Sequence, residues 1–232
     1  MSEDNIAKAD NGQEREQAPK KKRKVSKVII ISLAVIAAGL FIAFKLINGA
    51  HVGVDNNLEK AAEGKSNVLV AYFSWSGNLR QMSAWVAEET GGETFRIVTQ
   101  EPYSTEYLKC ADMAKKEFDN GTRPPLKAHI PKEIFDKYDV IYLGFPIWWY
   151  DLPMPVWTFL EENDLSGKKV VPFFSHNGSA DGANSLNRVK ELAKGANVYA
   201  DNAISVKDGD VDSSEQLVKE WAADMLIKAT KM

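Results

Sequence analysis

The chain has 232 residues, 44% of them hydrophobic and 26% charged, so a packed core is within reach and wholesale disorder is excluded. Its one cysteine, Cys110, excludes an internal disulfide and a cysteine-built zinc site, and His51, His129 and His176 fit no metal-ligand spacing. The formal net charge of -3 divides unevenly: residues 1–27 carry 8 Lys/Arg against 5 Asp/Glu, residues 28–65 carry 3 of each, and residues 66–232 carry 18 against 24. An acidic body is poor material for neutralising phosphates, so no nucleic-acid partner is expected.

Apart from Met1, residues 1–18 contain Ile6 as their only large apolar side chain and read as a disordered tail. The basic cluster Pro19-Lys20-Lys21-Lys22-Arg23-Lys24-Val25 resembles a nuclear-import signal as a string, but its context argues for another role. Val28 to Phe44 is uncharged, and with Lys45-Leu46-Ile47 the stretch reaches 20 residues. At about 1.5 Å per residue that spans roughly 30 Å, the hydrocarbon thickness of a bilayer. A basic flank before a first span lies on the cytoplasmic side. The run is too long for a cleaved signal peptide and apolar on every face, unlike a core helix. The organisation expected is therefore a basic cytoplasmic tail (1–27), a single-pass transmembrane anchor (28–47), a linker (48–66) and a domain (67–232) on the outer face of the cytoplasmic membrane.

From Asn67 onward, strand and helix signals alternate. Val68 to Phe73 is a continuous apolar run, as in a strand buried on both faces. Asn78 to Thr90 has Leu79, Met82 and Val86 at helical spacing and stops at Gly91-Gly92. Thr94 to Val98 is the second strand, residues 103–119 are weakly helical, and Asp139 to Phe145 is the third strand. Pro155 to Glu162 forms a short helix with proline in its first turn. Lys169 to Phe174 is the fourth strand and Ser185 to Lys194 a helix. Asn197 to Tyr199, with Ile204 to Val206, makes the fifth strand. Ser213 to Thr230 closes the chain as a helix with Ser213 as N-cap. Five strands alternating with helices predict an α/β fold, a doubly wound parallel sheet.

Ligands of such sheets sit beyond the carboxyl ends of the strands, where strand order reverses. Three loops leave those ends with unusual contents. Ser74-Trp75-Ser76-Gly77-Asn78 offers two hydroxyls and a glycine before a helix N-terminus, the makings of a phosphate nest or of an ordinary capped turn. It has neither the lysine of a nucleoside triphosphate loop nor the GxGxxG of a dinucleotide loop. Pro146-Ile147-Trp148-Trp149-Tyr150-Asp151-Leu152-Pro153 places three aromatics after a central strand, and some of them must be displayed as a stacking face, a lid or a partner patch. Ser175-His176-Asn177-Gly178-Ser179-Ala180-Asp181-Gly182 is small, polar and glycine-rich, suited to wrapping the edge of a planar ring. His176 is either a proton donor or a polar surface residue.

Together these motifs resemble the flavodoxins, in the branch with a Tyr-Phe-Ser-x-[Ser/Thr]-Gly-Asn loop and a Pro-Ile-Trp-Trp loop; the resemblance covers residues 67–200. It implies a five-stranded sheet of order 2-1-3-4-5 and noncovalent FMN. Ser74, Trp75, Ser76, Gly77 and Asn78 match the phosphate loop, with Leu79 standing where a threonine usually donates a hydroxyl. Pro146, Ile147, Trp148 and Trp149 match the first ring loop, with Tyr150 where glycine is common. Ser175, His176, Asn177, Gly178 and Ser179 fall on the second ring loop. The function this implies is electron transfer by a membrane-tethered FMN protein whose partner is a redox protein or a quinone. No catalytic residue is assigned, because the chemistry is the flavin's. A flavin-dependent quinone or nitro-compound reductase is the alternative on the same fold. A binding module without cofactor, gripping a ligand with the Trp-Trp-Tyr patch, is the alternative from another class, and Leu79 favours it.

Overall fold

Strand β1 (Val68–Tyr72) is buried at every position, and so is nearly all of β3 (Val140–Pro146) and β4 (Lys169–His176), which explains their unbroken apolar sequences. A computed structural model describes residues 63–231 apart from Lys65, Ser179 and Ala180. The expected tail and anchor lie outside the described residues, as does nearly all of the linker. Among the described residues no helix is long and apolar enough to cross a membrane. The remaining elements are α1 (Asn78–Thr90), β2 (Glu93–Arg96), α2 (Tyr107–Asn120), the single turn α3 (Lys132–Phe135), α4 (Met154–Glu162), α5 (Ala183–Leu192), β5 (Asn197–Val198), β6 (Ile204–Lys207) and α6 (Glu215–Thr230).

All ladders are parallel and the order is β2-β1-β3-β4-β5, with β6 also on β4. Alternate strand residues feed two cores. Leu69, Ala71, Ile141, Leu143 and Val170 pack with Val156, Phe159 and Val189 of α4 and α5. Val70, Tyr72, Tyr142, Val171 and Phe173 pack with Leu79, Met82 and Val86 of α1 and Val218 and Ala222 of α6. The sheet is therefore covered on both faces, as the alternating pattern predicts.

The predicted fifth strand is two pieces on one edge of β4. Val198 pairs with Val170 and Ile204 with Phe173, so this chain spends six residues where β4 spends three. The surplus coils into a 3₁₀ turn, Ala200–Asn202, where Asp201 and Asn202 are poor strand formers. The closing helix likewise starts at Glu215, because Ser213 belongs to a preceding 3₁₀ segment, Asp208–Ser213.

The described chain begins at the opposite pole from the strands' carboxyl ends. There the Glu93 carboxylate accepts the Gly64 and Ser66 N–H groups, and Lys168 donates to the carbonyls of Phe135, Asp136 and Tyr138.

Candidate functional site

Strand order reverses between β1 and β3, and the loops leaving these two strands flank the resulting crevice. The sheet is tight beneath it: a Cβ on Gly144 would lie 2.5 Å from the Phe173 ring and 3.0 Å from Tyr72. A larger residue there would have to displace the Phe173 ring.

The first loop turns into α1 through Gly77, whose φ of 104° is open to glycine and strained for other residues. The Ser74 hydroxyl accepts the Gly77 N–H at 3.2 Å and keeps its own proton for another partner. No carboxylate occupies the first turn of α1, so the partial positive charge of that terminus is unopposed from within the helix. Arg96, ending β2, donates Nη2 to the Ser74 carbonyl at 3.4 Å and adds a cation beside the loop. Two of the loop's polar groups are committed elsewhere. Trp75 donates its indole N–H to the Ser104 carbonyl at 3.0 Å and meets Tyr107 edge-on, and the Asn78 amide donates to Asp208 at 2.9 Å. Leu79 is 1% exposed and packs in the α1 core, so its side chain does not line the loop.

The second loop is a two-residue turn. Trp148 and Asp151 exchange both N–H···O bonds, at 3.1 and 2.9 Å, around Trp149 and Tyr150 at φ of 49° and 64°. Two left-handed residues make this the mirror-image turn that favours Asn-Gly, here built from an indole and a phenol. Each non-glycine residue held left-handed costs roughly 1–2 kcal/mol. The three aromatics part company. Trp148 is wedged edge-to-face between Phe73 (5.0 Å) and Tyr103 (5.1 Å), joining the first loop to the second. Trp149 is 42% exposed, donates to the Ala111 carbonyl of α2 at 3.0 Å and has the Lys115 ammonium 5.5 Å from its ring. Tyr150 is 60% exposed. With Tyr107 and Leu108 on the first turn of α2, these two rings are exposed large apolar side chains at the strands' carboxyl pole.

The third loop begins beside the second: Pro146 pairs with Ser175, and the Ile147 N–H donates to the Ser175 carbonyl at 3.1 Å. His176 accepts the Gly178 N–H on Nδ1 at 2.9 Å, which leaves the neutral ring's proton on Nε2. Asn177 and Gly178 are exposed, and Ser179 lies outside the described residues. Ser175 is 1% exposed, and its hydroxyl is buried without a hydrogen-bond partner on the face of the sheet that α1 covers. A buried hydroxyl left without a partner has a donor to give.

Several residues at this pole carry no sequence signal. Tyr103 donates its hydroxyl to Glu117 on α2; burial pushes both groups' pKa values upward and pushes the neighbouring Cys110 thiol up to about 12. Asn184, Arg188 and Asp208 reach the loops from later elements. Their spacing in the chain follows no motif, because only the parallel crossovers bring them together.

The sequence from 67 to 225 matches the family model for flavodoxin. The chain belongs to the flavodoxin family. This flavodoxin-family domain is similar to two proteins assigned as flavoproteins: one from Bacteroides uniformis (29% identity, TM-score 0.56, covering 70% of this chain and 98% of the other) and one from Bacteroides eggerthii (28% identity, TM-score 0.55, 66% and 94%). It also shares the fold of a flavoprotein from Lactobacillus acidophilus solved in complex with FMN (24% identity, TM-score 0.51, 63% and 96%). No curated protein sequence matches the chain.

Proposed function

We propose that this flavodoxin-family chain binds FMN noncovalently and serves as a redox protein. The observation that carries the reading is the meeting, at the switch-point pole, of a phosphate-type loop with an aromatic turn: Ser74 to Asn78 on one side, Trp148 to Tyr150 on the other. The residues present suit the cofactor. The Ser74 and Ser76 hydroxyls and the first-turn N–H groups of α1 would hold the phosphate. Trp149 and Tyr150 supply exposed ring faces, and the orphaned Ser175 hydroxyl has a donor to give. When bound, FMN supplies hydride and electron transfer; the chain orients the ring, excludes water from one side and sets the charge around it.

A reductase acting on a quinone or nitro-aromatic compound is the second reading. Exposed Tyr107, Leu108, Trp149 and Tyr150 favour it, since they would receive a planar apolar substrate. NAD(P)H-driven turnover of a small quinone by the purified full chain separates an enzyme from a carrier, which shows none.

The anchor and location rest on the sequence alone. Residues 28–47 hold the domain at the cytoplasmic membrane with residues 1–27 inside. Protease added to intact cells is therefore expected to remove the acidic domain and leave a small membrane-held fragment. Full protection of the chain would overturn this orientation.

A further inference from the structure

The turn carrying Trp149 and Tyr150 is held by groups that lie outside the three loops. Asn184 and Arg188 stand four residues apart on α5, so one helical turn presents both on the same side. The Asn184 amide donates to the Tyr150 carbonyl at 3.2 Å. Arg188 donates Nη2 to the Asp151 carboxylate at 3.4 Å, and Asp151 is buried. The other Asp151 oxygen accepts the Leu152 N–H at 2.6 Å. The Arg188 guanidinium also stacks on Trp157 of α4, 4.4 Å from the ring, and the Trp157 indole N–H donates to the Leu152 carbonyl at 3.0 Å. Three successive residues, 150, 151 and 152, are thus each tied down by a side chain of α4 or α5.

Such ties are needed because the turn's own sequence does not favour its shape. With no glycine, a free Trp-Trp-Tyr-Asp segment avoids two consecutive left-handed residues. We propose that Asn184 and Arg188 are positioning residues of the ring-binding turn: they hold Trp149 and Tyr150 in the left-handed backbone and so set the affinity for the planar end of the cofactor. The proposal rests on the FMN reading above. Asn184 acts on the peptide after Tyr150, and Arg188 acts through Asp151, which closes the turn in both directions with Trp148.

The test uses the full chain with Asn184→Ala and Arg188→Ala, each alone and combined with Tyr150→Gly, and measures FMN affinity and thermal midpoint. Each single variant is expected to loosen FMN about tenfold, the equivalent of one residue's left-handed strain. In the Tyr150→Gly background the loosening falls below about threefold, because glycine takes the φ of 64° unaided. Equal losses in both backgrounds would mean that α5 merely supports the fold, and the proposal would be overturned. Should Arg188→Ala fail to fold, exposed Asn184 carries the same comparison. If the wild-type chain takes up no FMN, the functional reading fails separately. The cycle is then read from thermal midpoints: a cost of Asn184→Ala that shrinks with Tyr150→Gly sustains the strap, and an unchanged cost refutes it.

Discussion

Leu79 and Tyr150 are the two residues at which this chain departs from the pattern its loops resemble, and the structure gives them opposite meanings. Leu79 is a core residue of α1, so the absence of a threonine hydroxyl there removes nothing that faced the loop; it also removes the support that a cofactor-free module drew from that position. Leu79→Thr is expected to cost about 2–4 kcal/mol of stability, through lost packing and a buried hydroxyl, with no tightening of FMN; chemical unfolding and flavin titration read the two separately. Tyr150 does carry a cost, because its φ of 64° is one a glycine takes freely. Tyr150→Gly should stabilise the fold by about 0.5–1 kcal/mol, the strain relieved less the extra freedom of glycine in the unfolded chain. A lowered unfolding midpoint would show that the phenol's contacts outweigh the strain. Loop contents were legible in the sequence at this scale, but hydrogen-bond commitments were not. Nothing in the string indicates that the indole of Trp75 is spent on Ser104, or that Trp148 rather than Trp149 is wedged into the core.

Among elements, the central strands were the most legible, since burial on both faces demands unbroken apolar runs and leaves little choice of register. The sheet's edge was less so: β5 and β6 are short and partly exposed, and the break between them falls at Asp201 and Asn202, poor strand formers inside a stretch that reads as one strand. Helix α2 was the weakest helical reading, with only Cys110 and Ala114 buried, yet it borders the site. The tie between the β2–α2 loop and α2 is the hydrogen bond from Tyr103 to Glu117. Burial raises the Glu117 pKa, the Tyr103 bond opposing it only in part. The folded chain therefore holds this proton more tightly than the unfolded chain does. The stability it contributes is present below the ordinary value of 4.5 and lost as pH rises through the elevated folded value. Glu117→Gln, which keeps an acceptor for Tyr103, should gain unfolding midpoint over wild type at pH 7 and lose that advantage near pH 4. An advantage that is constant across this range would mean the carboxylate is not the cause.

Across the whole molecule, the two ends of the described domain have separate work. The pole where the chain comes in is fastened by Glu93, Tyr138 and Lys168, while the opposite pole gathers loops from β1, β3 and β4, a strained turn and an orphaned serine hydroxyl. In the proposed site the loop at Ser74–Asn78 holds a phosphate while the turn at Trp149–Tyr150 meets a flat ring. Titrating the full chain with FMN and with riboflavin, and following flavin and tryptophan emission together, tests both halves at once. Each charge-assisted hydrogen bond to the phosphate contributes about 1.5–3 kcal/mol, so FMN should bind at least about tenfold more tightly than riboflavin, and both should quench tryptophan emission as they bind. Equal affinities would contradict the phosphate loop, and binding without quenching would contradict the aromatic turn. A chain that leaves both flavins unbound would overturn the proposal of FMN binding.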